Sequence, residues 1–298
     1  MVNFRSNRYD ILKKIESLDH ETEYREIYRL MTTYEFPWDM NQALSFALFR
    51  TYAVPTIGSL LAHTGELIDR VQKRYDDTVI VLDAILEHGP SEGDGLTALR
   101  RMNQMHNAYN ISNSDMIYVL STFVVTPIRW MDDFGWRAMS ATERIAAANY
   151  YRDLGRRMGI RDLPETWKDF SNFLDSYEEA NFSIDAGGTK VAESTIELFT
   201  TFPPNQLLPK SIVYKMSYAL MDEPLLKAFG FPTPNPIFKT LVRNGLKLRG
   251  KLVRELPPRK EPRWPREMPQ VRSYPNGFDI EKIGTFPPHQ TSSGEEVE

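Results

Sequence analysis

The feature that most constrains this chain is the spacing of its apolar residues. From Tyr9 to about Leu256 they recur every three to four positions, the period of a helix that buries one face. "RYDILKKIESL" places Tyr9, Leu12, Ile15 and Leu18 on one side. "WDMNQALSFALFRTYAV" predicts a more buried helix that ends near Pro55, because proline cannot continue the hydrogen-bond ladder. A long helical segment from about Ile57 to His88 is expected next, with Gly89 as its cap, followed after the turn-rich "GPSEGDG" by a helix from about Leu96 to Tyr109. Ser112-x-x-Asp115 and Ser140-x-x-Glu143 read as capping boxes opening two further helices, the second ended by Gly159. Pro164 starts another, and two or three more fill Lys190 to Leu256.

Strand signals are sparse. The Asn276-Gly277 pair lies in a proline-rich tail rather than between alternating runs, and Gly187-Gly188 reads as a lone loop pair. The expectation is one all-α domain over residues 1–256 and a proline-rich, extended C-terminal arm over 257–298. A chain of 298 residues with 41% hydrophobic content can bury a sizeable core. Its formal net charge of −4 argues against a general nucleic-acid binder. The absence of cysteine removes disulfides, zinc–thiolate and iron–sulfur sites, thiolate-ligated haem and cysteine nucleophiles together. No apolar run is long enough to span a bilayer, and the charged N-terminus is not a secretory signal, so the chain is expected to be cytoplasmic or peripheral to a membrane.

Common catalytic signatures are missing: no GxGxxG, no GxxxxGK[ST], no Gly-x-Ser-x-Gly elbow, and no Glu-x-x-His for a di-iron bundle. Of the five histidines, His20, His88 and His289 read as solvated, while His63 shares a broad stripe with Arg70 and Arg74. His106 lies on a face with Met102, Met105 and Tyr109. Two readings stand there: a hydrogen-bonded core histidine, or a neutral imidazole of the kind that ligates haem axially. Arg74 and Thr78, four apart, share one helical face. On spacing alone Arg74 reads as a rim arginine paired with Asp76, Asp77 or Asp83. "RWMDDFGWR" reads as a structural ion-pair cluster of Arg129, Asp132, Asp133 and Arg137.

The order Arg74-x-x-x-Thr78 followed by His106 on a separate helix resembles the latex-clearing-protein and mpaB oxygenase family, and so do "FRTYAVPTIGSLLAHTGEL", "RRMNQMHNAYNISNSDMIYVLSTFVVTPIRWMDDFGW", "YYRDLGRRMGIRDLPETW" and "YPNGFDIEKIGTF". The likeness is greatest to the fungal mpaB branch. It implies an all-α fold enclosing a haem b pocket, with His106 as the axial iron ligand and Arg74 and Thr78 on the distal, oxygen-binding side. It implies dioxygen as co-substrate and a hydrophobic, prenylated or isoprenoid small molecule as substrate, cleaved oxidatively at a C=C bond. The alternative is a non-catalytic helical protein that binds haem or lipid. Two positions depart from the latex-clearing pattern. Asp77 stands where those members carry a lysine, and their upstream glutamate falls here near Gly58, with Glu66 the nearest acid. No N-terminal membrane anchor of the kind fungal relatives carry is expected from this sequence. Phe123, Val124, Val125, Trp130 and Phe134 are candidate lining for an isoprenoid-sized cavity.

The segment from Lys239 to Arg272 carries eleven Lys or Arg and three Glu. It reads either as a solvated face with Leu246, Leu248 and Leu252 packed inward, or as a peripheral membrane contact.

Overall fold

The computed structural model describes residues 7–285. Among them are fourteen α-helices and no β-strand. His289 and the end of the arm, residues 286–298, lie outside the described residues.

The centre is α8 (Asn113–Phe134), whose long apolar run is buried for most of its length. Against it lies α3 (Pro37–Thr51), and the pair makes the most extensive helix contact in the molecule. Trp130 of α8 fixes the two helices. Its ring packs on Trp38, Phe46 and Phe134, and its indole N–H donates to the Asp39 carboxylate at 3.2 Å. On other sides of α8 lie α9 (Ala141–Arg157) and α10 (Trp167–Asn181), while α2 (Tyr24–Leu30) packs on α9 and α1 (Asp10–Glu16) sits outside it. A π-helical turn, Met31–Glu35, joins α2 to α3.

Capping chemistry sets several of these starts. The Ser140–Glu143 box closes in both directions, and so does a Thr166–Asp169 box that starts α10 two residues after Pro164. At α8 only half of the expected box forms. Ser112 accepts from the Asp115 N–H, but the Asp115 carboxylate accepts instead from Thr56 and Tyr177.

The expected continuous helix from Ile57 to His88 is three helices: α4 (Pro55–Thr64), α5 (Glu66–Asp69) and α6 (Val71–His88). Gly65 takes φ of +72°, a left-handed conformation that a Cβ disfavours, and it ends α4 there. His63 therefore does not continue the Arg70–Arg74 stripe and is exposed on α4. Gly187 and Gly188 are not in a loop. They form the first turn of α11 (Ala186–Thr200), which crosses α4 with backbones touching. A Cβ on Gly188 would lie 2.2 Å from the Tyr52 carbonyl oxygen, and one on Gly58 would lie 2.7 Å from the Gly188 Cα.

The remaining helices are α7 (Gly93–Asn107), paired with α6, then α12 (Lys210–Leu220), α13 (Glu223–Phe229) and α14 (Pro236–Arg254). No single helix among the described residues is long and apolar enough to cross a membrane. The rotation of α14 differs from expectation. Leu246 packs inward, but Leu248 and Leu252 are 58% and 62% exposed. Arg249 and Gly250 set this orientation. The guanidinium makes two 2.8 Å bonds to Asp39, and Gly250 sits against the Phe134 carbonyl, where a Cβ would lie 2.7 Å away. The "RWMDDFGWR" charges are structural, but they pair outward rather than with one another: Arg129 with Asp175, Asp132 with Arg144, Asp133 with Arg243, and Arg137 with Glu35 and Glu143.

Residues 257–285 run back across α6 and α7. They contain two 3-10 turns, Pro265–Glu267 and Ile280–Lys282, and bury Trp264, Met268, Ile280 and Ile283. Carboxylates of α6 hold this strap. Asp76 accepts from the Arg272 and Ser273 N–H groups and the Ser273 hydroxyl, Asp77 from the Tyr274 hydroxyl, and Asp83 from the Arg266 N–H and guanidinium.

Burial pushes Asp83 up from an ordinary 3.8 to about 7, against the pull of Arg266. Its Oδ1 is buried without a hydrogen bond. Because the folded value lies above the unfolded one, the folded state binds the proton more tightly. The resulting stability is full below about pH 4 and lost as pH rises to about 7, a change of up to about 4 kcal/mol. Glu35 and Asp39 are also raised by burial and act in the same direction. Asp83→Asn should therefore reduce, without abolishing, the fall in stability between pH 4 and 7. Urea melts across that range check it, and an unchanged slope would refute the assignment.

Candidate functional site

Helices α3, α4, α6, α7, α8 and α9 enclose a cavity of about 350 Å³. That size is within the range of small-molecule and cofactor pockets. Its walls are mainly aliphatic and thioether: Ile57, Leu60 and Leu61 from α4, Val81 and Leu82 from α6, Met102 and Met105 from α7, and Met116, Val119, Leu120 and Phe123 from α8. Of the lining expected from sequence, only Phe123 is there. Val124, Val125, Trp130 and Phe134 face the core between α8 and its neighbours. A run of buried apolar residues gives no sign of which turn meets a void and which meets another helix.

Three polar side chains singled out from the sequence, Arg74, Thr78 and His106, all line this cavity. His106 sits in the last turn of α7. Its Nδ1 is 2.9 Å from the Met102 carbonyl oxygen. A carbonyl can only accept, so Nδ1 carries the proton and the Nε2 lone pair is left over. Burial lowers the His106 pKa below its usual range. The Met102 carbonyl opposes that shift, and the positive charge of Arg74 adds to it.

Arg74 and Thr78 form a closed pair on α6. The Arg74 Nη1 donates to the Thr78 hydroxyl oxygen at 2.5 Å, and that hydroxyl donates to the Arg74 carbonyl at 2.9 Å. The rim salt bridge expected for Arg74 does not form. Asp76, Asp77 and Asp83 are engaged by the strap, and Arg74 makes no ion pair among the described residues. The N-terminal half of α6 is thus divided. Asp76 faces the strap, Arg74 and Thr78 face the void, and Asp77 meets both.

Two carboxylates also reach the cavity wall. Asp77, the position noted as a departure from the latex-clearing pattern, is bound by Lys73 at 2.7 Å and by Tyr274. Asp115 accepts from Tyr177 at 2.8 Å and Thr56 at 3.0 Å through Oδ1. The sequence offered Asp115 only as a helix cap, because the partners that turn it inward lie 59 and 62 residues away. Glu66, the acid nearest the expected upstream position, does not line the cavity and pairs with Arg70.

The donor set suits a haem-type group: one histidine with a fixed tautomer and a free Nε2, thioethers beside it, a largely apolar slot, and one cation without a counter-ion. Among the described residues no three His, Asp or Glu side chains gather as a metal cluster, which a single axial ligand does not require.

An all-α protein whose one histidine and one arginine–threonine pair meet in an apolar void is a helical cofactor- or ligand-pocket protein. The family model for the catalytic domain of the ER-bound oxygenase mpaB/B' and rubber oxygenase matches residues 40–248, and the chain belongs to that family. It is 30% identical over 250 residues to the ER-bound oxygenase mpaB' of Penicillium brevicompactum, a match covering 78% of this chain and 59% of that protein. It is 32% identical over 163 residues to mpaB of the same organism, covering 52% of this chain and 42% of that one. The mpaB of Penicillium roqueforti (strain FM164) is 31% identical over 169 residues, covering 54% and 57%. The chain thus spans about half the length of the curated relatives it matches.

The tautomer and charge of His106 can be read directly. Nitrogen-15 imidazole spectra of the haem-free protein should show an Nδ1–H ring that stays neutral at pH 7 and titrates below the ordinary 6.5. Arg74→Ala should move that midpoint upward. A ring already protonated at pH 7 would contradict the geometry.

Proposed function

We propose that this protein is a haem b-dependent oxygenase acting on a hydrophobic, prenylated or isoprenoid small molecule, with oxidative cleavage of a C=C bond as its reaction. The observation that carries this reading is the meeting of a free His106 Nε2 and an unpaired Arg74 in one apolar cavity. Kinship with proteins named oxygenases supports the chemistry class. In such a reaction dioxygen adds across the double bond, the C=C and O–O bonds break, and two carbonyls form, so no outside reductant is needed.

His106 would hold the iron through Nε2, with Nδ1 tied to Met102 so that the ring cannot turn. When bound, haem b supplies redox-active iron for reaction with dioxygen. Arg74 places a fixed positive charge where negative charge develops on oxygen, held in position by Thr78. Thr78 spends its proton on the Arg74 carbonyl and so acts as an acceptor that orients the guanidinium. The aliphatic walls exclude water and accept a hydrocarbon chain.

Two variants test the roles separately. His106→Ala should fold but lose stoichiometric haem, read from the Soret band and bound iron, and full haem content with an unchanged spectrum would refute the ligand assignment. Arg74→Ala should keep its haem and lose turnover of prenylated aromatics under labelled dioxygen by about 100-fold, since a positioned donor of this kind supplies about 3 kcal/mol. Equal turnover would remove Arg74 from the chemistry.

A further inference from the structure

The outer face of α14 has no partner among the described residues. Ile237, Leu241, Leu248 and Leu252 are 81%, 67%, 58% and 62% exposed. Their spacing of four, seven and four residues puts them on one stripe. Leu256, 57% exposed, continues it past the helix end. Along one side of the stripe run Lys247, Lys251 and Arg254, all exposed and without an ion pair among the described residues. On the other side, Leu256 and Val253 form part of the wall of a cavity of about 290 Å³ that Arg8, Arg249 and Arg259 also line. Arg249 is neutralised by Asp39. Arg259 makes no ion pair among the described residues, whereas Arg8 lies 3.7 Å from the Glu35 carboxylate, which with Asp39 also lines this cavity. An apolar stripe flanked by cations that have no ion pair among the described residues, with Arg259 beyond its end, matches the layered chemistry of an anionic membrane: acyl chains, surface charge and phosphate headgroups.

We propose that α14 is a membrane-docking face that lies in the plane of an anionic phospholipid bilayer, with Ile237, Leu241, Leu248 and Leu252 entering the acyl boundary and a headgroup phosphate met by Arg259 where it lines the adjoining cavity. The proposal is independent of the haem chemistry. It places the protein where a lipophilic substrate partitions. The acidic alternatives, a protein groove or a second copy of this chain, would meet the cations equally but would not need the lipid.

The test is cosedimentation of the full chain with vesicles of phosphatidylcholine alone and with vesicles of phosphatidylcholine and phosphatidylserine in equal parts, at low and high salt. Binding to the mixed vesicles should exceed binding to the neutral ones and weaken with salt. Lys247→Ala and Lys251→Ala should each weaken it about fivefold. Leu248→Ser with Leu252→Ser should abolish the part that survives high salt, and Arg259→Ala should weaken binding to the mixed vesicles alone. Lys13→Ala, an exposed cation on α1, should change nothing. All these side chains are exposed, and circular dichroism checks that each variant folds. Equal binding to both vesicles, no binding to either, or concentration-dependent dimerisation that the leucine substitutions abolish while vesicle binding is absent would each overturn the proposal. Unchanged binding by Arg259→Ala would remove the headgroup pocket from it.

Discussion

Three carboxylates on one face of α6 govern this structure. Asp76, Asp77 and Asp83 have side chains with almost no solvent exposure, and a buried carboxylate is tolerated only when its oxygens are bonded. The strap supplies most of those bonds, and the Asp83 Oδ1 it leaves unbonded is where burial raises the carboxyl. Asp76 alone accepts from Gln72, two backbone N–H groups and the Ser273 hydroxyl. With the acids so occupied, Arg74 has no carboxylate to turn to. The strap therefore does more than cover α6. By claiming the anions it leaves a cation directed at the cavity. Removing one partner from such a set leaves a buried charge unpaired, which costs several times what a surface ion pair contributes.

The cavity inherits a particular electrostatic character. Among the described residues its one positive side chain is the Arg74 guanidinium, its histidine is kept neutral by burial, and its two carboxylates are already bonded to tyrosine, lysine or threonine. An apolar wall lowers the local dielectric and lengthens the reach of that single charge. Negative charge arising inside is favoured, and a cationic ligand is not. The tyrosine-rich core behind Phe123, where Tyr28 and Tyr151 bond at 2.8 Å and Tyr150 stacks on Tyr28, keeps the inner wall rigid.

Periodicity made the helices of this chain legible because each buries a face, and serine caps marked where two of them begin. The pairing of Arg74 with Thr78 and the inward face of His106 were readable for the same reason, since positions four apart or flanked by methionines fall on one side. What was not legible depended on contacts distant in sequence. Gly65 breaks a long amphipathic run through a backbone angle that periodicity does not encode. Gly188 sits in a helix because its lack of a side chain lets α4 approach. Asp115 turns inward for tyrosine and threonine partners on other helices. Leu248 and Leu252 look like core residues by type, and only the Arg249–Asp39 anchor reveals that they face outward. The expected rim pairing of Arg74 failed because the strap competes for the same acids, and a proline-rich tail carries no periodic signal of where it will lie.

The strap also has a consequence in time. Asp76 and Ser273 are 197 residues apart in the chain. At ordinary rates of synthesis a ribosome needs about 10–40 s to cover that distance. Throughout that interval α6 exists with its acids unclaimed, and α7 lacks the backbone carbonyl of Ile283 that later binds Arg101. Until the last stretch of chain arrives, Asp76 and Asp77 stand beside Arg74 as open carboxylates, and only the strap lets them be buried.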